Sequence, residues 1–496
     1  DLSRQSVNPE LLNLIPEQIA RRYKLIPVEI QNGALSVVME DPTDINVLEE
    51  ISALTGMNID PAVGVGQDID QAIDIYYKAN REIEREVAEF SESMDTTAAV
   101  AGVEPDIIIE DPVVRAVDMI LEQAVRDRAS DIHIIPDHDA VRVRYRVDGI
   151  LRDALSLPSN SHNQIISRVK VLADMNIAER RRPQDGQFSK NIDQEETFFR
   201  VATSDSTNGE IVTIRILGRT EFILDLDGLG MQDKTLSRFK NIIQSPFGMV
   251  LVAGPTGSGK TTTLYASLNQ LDRNRHNIMT IEDPVEYNFQ GINQIQVNRA
   301  ADITFASGLR GVMRLDPDKI MVGEIRDQET ARAAIQAALT GHLVLSCIHA
   351  NDAVGTFFRL LHLGADRYLI NSSVIGMVSQ RLIRLSCPHC SVEATPNENE
   401  TRVYKNVTGE TLPSYQKGEG CTYCQGSGYL GRTGVFEFLV VTNQIRKMFS
   451  EGAGANEIKK VAVEQGMQTM LEDGMFKVKQ GLTTPAEVLR NAYSVV

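Results

Sequence analysis

A chain of 496 residues, at roughly 100–200 residues per domain, has room for three or four domains. With 42% hydrophobic and 24% charged residues it has the make-up of a globular protein, and no stretch approaches the ~18 consecutive apolar residues of a membrane-spanning helix. A formal net charge of −17 disfavours tight, sequence-independent binding to DNA or RNA, which rests on Lys and Arg neutralising phosphates.

The chain opens on Asp1 rather than Met, which leaves upstream sequence open, and its first residues show no targeting pattern. Residues 1–78 read as a small α/β module. Ile15–Tyr23 has helical spacing, Ala34–Met39 reads as a strand, and Asp41-Pro42 marks a turn. Residues 79–105 change character: the acidic, helix-like run Arg81–Ser91 leads into the small, polar Asp95–Gly102, the composition of a mobile linker. A second domain is expected over 106–218. Pro112–Asp127 carries a helical stripe of Val113, Val117, Ile120, Leu121 and Ala124. Asp131–Ile135 and Val141–Val147 alternate polar and apolar as half-buried strands do, and Phe198–Thr203 with Glu210–Leu217 read as a further strand pair.

After a connection over 219–245, residues 246–496 alternate strands and helices, the pattern of a mostly parallel sheet flanked by helices. Near its end, Thr484, Pro485 and Glu487 spell a capped helix start.

The strongest signal lies at the start of this third domain. Met249–Ala253 is an apolar strand, and Gly254-Pro255-Thr256-Gly257-Ser258-Gly259-Lys260-Thr261-Thr262 follows it with the spacing of a phosphate-binding loop that opens a helix. Glycines let the backbone curl so that its N–H groups point at phosphate oxygens. Lys260 is of a length to reach the β- and γ-phosphates, the Thr261 hydroxyl suits Mg²⁺, and the helix start adds its positive end. ATP with Mg²⁺ is therefore the expected ligand.

Hydrolysis also needs a carboxylate to position water. Two strands end in acids: Lys319–Arg326, with Glu324, and Ile278–Glu286, with Glu282, Asp283 and Glu286. Strand ends of a parallel sheet gather around a ligand, so both are candidates. Glu324 is the expected water-polarising group, with Glu282 and Glu286 next; Gly323 stands where an Mg²⁺-holding Asp is expected, and a carboxylate from Glu282 or Asp283, directly or through water, is the expected substitute. A third strand, bracketed by His342 and His349, reads either as carrying packing histidines or as a sensor of the γ-phosphate.

Of five cysteines, four form the pairs Cys387-Pro-His-Cys390 and Cys421-Thr-Tyr-Cys424, thirty residues apart; Cys347 stands alone. Two such turns supply four thiolates for a closed, structural Zn²⁺ site stapling an insert over 384–430, against the alternatives of free buried thiols or an iron–sulfur cluster. His389 is a spare ligand type expected at the surface.

Together these segments resemble the secretion ATPase superfamily, specifically the type II secretion and type IV pilus assembly ATPases. Ala129–His133, Glu179–Gly186, the phosphate loop, Thr280–Glu286, Val322–Asp327 and the histidine segment occur in that family's order over nearly the whole chain. The resemblance implies a RecA-like ATPase domain preceded by a small α+β, PAS-like domain and an N-terminal docking or regulatory module, assembled as a homohexamer. It implies a catalytic Glu324, with Glu282, Glu286 and His349 in the same machinery, and Arg200 and Arg215 contacting phosphates. Arg310, Arg314 and Arg326 match positions near that site. Cys347 and Ala350 depart from the usual threonines of the histidine segment, and Gln187-Phe188 from the usual basic residue. The cysteine insert and the N-terminal module favour assembly or export over retraction.

The implied function is a cytoplasmic ATPase at the inner face of a bacterial inner membrane. It would work with a membrane platform protein and a membrane-anchored docking protein, without nucleic acid; cyclic di-GMP binding by the N-terminal module stays open. A RecA-like nucleic-acid motor and a regulatory module that binds nucleotide without turnover are the alternatives.

Overall fold

The computed structural model describes residues 11, 14–31, 34–66, 69, 72–73, 112–193, 195–217 and 225–492. The expected linker over 79–105, with its acidic run, lies outside the described residues. The chain forms two compact units. One comprises Asp1–Arg219 with Cys387–Ser391 and Gly418–Leu430; the other comprises Thr220–Ser386, Val392–Lys417 and Gly431–Val496.

In the first unit, β1 (Leu25–Gln31) runs antiparallel to β2 (Ala34–Met39), which is parallel to β3 (Asn58–Val63). The helix expected over Ile15–Tyr23 is α1 (Glu17–Arg22). Helix α2 (Ile45–Thr55) starts where the Asp44 carboxylate accepts from the N–H groups of Asn46 and Val47 and stops at left-handed Gly56, the two end signals a helix uses most.

The same unit holds a six-stranded sheet in the order β6-β5-β4-β9-β8-β7. Its strands are β4 (Ala129–Pro136), β5 (Ala140–Val147), β6 (Ile150–Pro158), β7 (Gln184–Ile192), β8 (Glu195–Ser204) and β9 (Ile211–Leu217). Helix α3 (Pro112–Arg126) lays its whole stripe, Val113 to Ala124, into the core of this domain, beside Ile132, Ile134 and Val143. In β5 the apolar residues point inward and Arg142, Arg144 and Arg146 outward, the period-2 pattern that made the strand legible. Helix α4 (His162–Leu172) buries Lys170, whose ammonium lies 2.6 Å from the Glu210 carboxylate and donates to the Glu179 carbonyl at 2.6 Å.

The second unit is built on a seven-stranded sheet ordered β12-β11-β13-β14-β10-β15-β18. Strand β10 (Gly248–Ala253) lies between β14 (Leu343–Ile348) and β15 (Val374–Ser386), parallel to both. Strand β13 (Lys319–Glu324) is parallel to β14 and to β11 (Ile278–Glu282), which is parallel to β12 (Asn293–Gln296); β18 is Tyr429–Val440. A parallel strand covered on both faces must be apolar on both, and β10, β11 and β14 are buried throughout. Met249, Leu251 and Ala253 enter one core with α7 (Phe305–Val312), α8 (Gln328–Leu339) and α9 (Gly355–His362). Val250 and Val252 enter the other with α5 (Asp233–Ile243) and α6 (Lys260–Asn269). Residues read from sequence as a connection thus supply Leu236, Phe239 and Ile243 to a core.

Candidate nucleotide site

Strand β10 ends at Ala253 beside Ile348 of β14, and the phosphate loop runs from there into α6. The loop's glycines adopt positive φ at Gly257 (75°) and Gly259 (84°), a region that side chains disfavour. At Gly254 an added Cβ would fall 2.4 Å from Ser258 Oγ and 2.7 Å from the Gln380 carbonyl oxygen, so only glycine lets the loop close on itself. Ser258 donates to the Pro255 carbonyl at 2.9 Å. Lys260 Nζ donates to the carbonyls of Gly254 (3.0 Å) and Pro255 (2.9 Å), which holds the ammonium at the loop; burial lowers its pKa. Pro255, Thr256 and Gly257 are exposed, and Thr261 and Thr262 are half-buried on the first turn of α6.

Glu324 reaches this edge through a break in the sheet. Val322 pairs with Ser346 but Glu324 pairs with Cys347, so Gly323 is the extra residue of a β-bulge. A Cβ at 323 would meet the Ile281 carbonyl at 3.3 Å and Phe305 at 3.4 Å, so the position where an Asp is expected is a close fit for any side chain. The Glu324 carboxylate keeps 17% exposure, lies 2.5 Å from Arg326 Nη2 and 3.9 Å from His349 Nε2, and acts electrostatically on Lys260. Burial, then the positive charge of Lys260, lowers the pKa of His349. Burial pushes the neighbouring Cys347 thiol up to about 12, so it is an uncharged packing group.

The two other acids differ sharply. Glu282 is 3% exposed and is fully engaged: Tyr265 donates to Oε2, and Thr280 (2.5 Å) and Gln294 (3.0 Å) donate to Oε1. The Tyr265 oxygen in turn accepts from the Glu286 N–H at 3.2 Å, so Glu282 ties α6 to the acidic segment. Burial and Glu282 raise the Tyr265 pKa. Glu286 is half-buried and Asp283 exposed.

His349 and His342 are separated by the length of β14. His342 is at the opposite end from the phosphate loop, where its Nδ1 contacts the Ala337 carbonyl (2.9 Å) and Thr340 Oγ1 (3.2 Å) and finishes α8. Of the two readings for this residue, the geometry supports the packing one. Asp327 is likewise structural, its carboxylate accepting from the Thr330 N–H to cap α8.

Residues 109–490 match the family described as type II/IV secretion system protein. The chain belongs to this family. Residues 1–83 match a domain described as MshEN. The chain is 39% identical to the type IV pilus assembly ATPase PilB of Myxococcus xanthus, over 98% of this chain and 87% of that protein. It is 40% identical to the type II secretion system protein E of Xanthomonas campestris, over 95% of this chain and 83% of that one. The ATPase DotB of Legionella pneumophila shares the fold, with a TM-score of 0.55 at 21% identity over 78% of this chain and 96% of that chain. The enzyme is thus a secretion and pilus-assembly ATPase, as the order of its motifs implied.

Two polar residues of this secretion ATPase were not singled out from its sequence. Gln380, on β15, is 2% exposed; its Nε2 donates to the Ser258 carbonyl (2.7 Å) and its Oε1 accepts from Thr263 Oγ1 (2.8 Å). Glu437, on β18, is 1% exposed and accepts from the Ala353 N–H at 3.0 Å, with Lys459 at 3.4 Å. Glu437 stands out in sequence as an acid inside the apolar run Val435–Val440, whereas Gln380, between Ser379 and Arg381, carries no such signal.

Arg200 and Arg215 belong to the other compact unit, where they are direct cross-strand partners on β8 and β9, both exposed. Arg215 Nε lies 3.0 Å from Asp131 Oδ1, its partner across β4. Gln187 faces Arg200 across β7, and Phe188 stacks on Phe199 at 4.8 Å. Arg310 pairs with Glu329 at 2.9 Å, and Arg314 is exposed.

Cys387, Cys390, Cys421 and Cys424 are all buried, and their sulfurs lie within 4.8 Å of one another. Three of the separations are 3.7, 3.8 and 3.7 Å. A tetrahedron of thiolates at ~2.3 Å from Zn²⁺ has edges of ~3.8 Å, whereas a disulfide would need ~2.05 Å. The donor set therefore fits a zinc ion with no open position. His389 is not among the ligands: it is exposed and stacks on Tyr423 at 3.9 Å. Beside the second turn, Gln425 accepts from Arg152 (3.2 Å) and donates to Asp127 (3.1 Å), which fastens it to the six-stranded domain.

Proposed function

We propose that the chain hydrolyses Mg²⁺-bound ATP in the cradle Gly254–Thr262, with Lys260 on the β- and γ-phosphates, the Thr261 hydroxyl on the metal, and Glu324 readying the attacking water. The observation that carries this reading is the bulge at Gly323, which pairs Glu324 with Cys347 at the end of β13, beside His349 (3.9 Å) and in electrostatic reach of Lys260. Glu286 is the acidic-segment carboxylate best suited to the metal side, because Glu282 is committed to three donors. Neutral His349 is suited to sensing the γ-phosphate beside Glu324. Zn²⁺ held by the four cysteines would staple the two turns without taking part in catalysis.

The finer reading of the fold is a RecA-like ATPase domain after a PAS-like one, acting as a homohexamer. It works at the inner face of the bacterial inner membrane with a platform protein and a membrane-anchored docking protein. Relatives of both the pilus and the type II secretion kind stand at similar identity, so the reading covers assembly of either fibre. Among the described residues no helix is long and apolar enough to cross a membrane.

Phosphate release from Mg²⁺-ATP, measured beside Lys260→Ala and with single-stranded DNA added, tests the reading. Release by the wild type alone, unaltered by DNA, is expected. Equal release by Lys260→Ala would sink it.

A further inference from the structure

Within the phosphate loop Ser258 donates to Pro255 and Lys260 to Gly254 and Pro255, yet its glycines leave a need for further restraint. Three of its residues, Gly254, Gly257 and Gly259, sit at positive φ, and glycine carries the largest backbone entropy of any residue. A loop that grips phosphates well must hold its N–H groups in place before the ligand arrives. Further restraint comes from elsewhere in the fold.

We propose that Gln380 is a positioning residue for nucleotide binding, cross-linking the two sides of the phosphate loop. Ser258 and Thr263, the groups its amide joins, flank the tetrapeptide Gly259-Lys260-Thr261-Thr262, which carries the ammonium and the hydroxyl expected on the phosphates and metal. One buried side chain from β15 thus sets the spacing between the last turn of the loop and the first turn of α6. Both ends of its amide are used, so neither an acid nor an apolar residue can replace it. A carboxylate would face the Ser258 carbonyl with no proton to give, and a thioether would leave that carbonyl and the Thr263 hydroxyl without this partner. The backbone of Gln380 takes part as well, since its carbonyl oxygen closes on Gly254.

The neighbouring residues extend the same frame to the histidine segment. Arg381 donates to the Asn351 carbonyl at 3.0 Å and to the Gln380 carbonyl at 3.1 Å, and Ser379 donates to the Asn351 carbonyl at 3.4 Å. Asn351 lies two residues past His349. Residues 379–381 of β15 therefore hold the phosphate loop and the end of the histidine segment against one strand.

The inference rests on the reading of Gly254–Thr262 as the nucleotide cradle. A loop set wrongly grips ADP and ATP alike, whereas a fault at Glu324 slows turnover only. The test uses the full chain and measures affinity for a fluorescent ADP analogue, KM and kcat for ATP, and the number of binding sites. Gln380→Glu and Gln380→Met are expected to weaken the analogue and raise KM about tenfold or more, with kcat at saturating ATP within about threefold of wild type. Thr263→Val should behave like Gln380→Met, and Thr263→Ser, which keeps the hydroxyl, like wild type; this pair carries the test should the Gln380 variants fail to fold. General destabilisation lowers the number of sites without moving the dissociation constant. Wild-type affinity in folded Gln380→Met or in Thr263→Val overturns the proposal alone. A wild type that binds no better than Lys260→Ala overturns the nucleotide reading and the proposal together.

Discussion

Arg326 Nη2 lies 2.5 Å from Oε1 of Glu324, and the two partners differ in exposure: the guanidinium is 63% exposed, the carboxylate 17%. Ion pairs open to solvent contribute only about 0–1 kcal/mol to folding. On the proposed reading of Glu324, the contact matters through orientation, because a carboxylate that readies water must be aimed. Arg326→Ala is accordingly expected to lower kcat about tenfold and leave KM and the thermal midpoint nearly unchanged. Steady-state kinetics and a melting curve check this. A lower midpoint with unchanged kcat would make the pair merely structural.

Glu282 makes the opposite case. Its carboxylate is buried among Tyr265, Thr280 and Gln294, so it holds α6 to β11. Glu282→Gln keeps the shape but weakens charge-assisted bonds worth roughly 1.5–3 kcal/mol each. The expected outcome is a melting point lower by several degrees, with kcat reduced less than about tenfold. Turnover lost as completely as in a Glu324 variant, in a protein of normal stability, would return Glu282 to the chemistry.

His349 supplies a pH signature. Burial and Lys260 lower its pKa below the ordinary 6.5, so it is uncharged at neutral pH. Because the unfolded chain binds the proton more readily than the folded one, its contribution to stability is fully present above about 6.5 and is lost as pH falls through the folded value. Hydrolysis should therefore fall along an acid limb placed below 6.5, and His349→Gln should flatten that limb. A limb that persists unchanged in the variant would assign it to another group.

The cysteine cluster predicts one metal per chain. Acid or a strong chelator should release about one equivalent of Zn²⁺, read with a chromophoric indicator, and lower the melting temperature. Cys421→Ser should bind the metal less tightly. Because Gln425 fastens the second turn to Asp127 and Arg152, protection of those segments in hydrogen exchange should fall along with the metal. A metal-free protein with wild-type melting behaviour would contradict the stapling role.

Legibility in the sequence followed the range of the interactions. The phosphate loop, the apolar strands around it and the paired cysteines declare themselves locally, through spacing and composition. So do the alternating strands β4 and β5. The committed state of Glu282 does not, because β11 is buried at every position and its pattern cannot say which way an acid points. The bulge at Gly323 is invisible until β14 lies beside β13. Gln380 meets Thr263 across 117 residues and Ser258 across 122, and Glu437 meets Ala353 across 84; no local pattern joins them. His342 was ambiguous for a related reason. Its role depends on which end of β14 the cradle occupies, and that is decided by the parallel pairing with β10.

In the proposed mechanism Glu324 readies water for a nucleotide held by Lys260. The most direct measurement is phosphate release from Mg²⁺-ATP by Glu324→Gln, with ADP-analogue affinity taken on the same preparation. The expected result is a turnover lower by about 10²–10⁴-fold with affinity within about threefold of wild type. Wild-type turnover by that variant would contradict a water-readying role for Glu324.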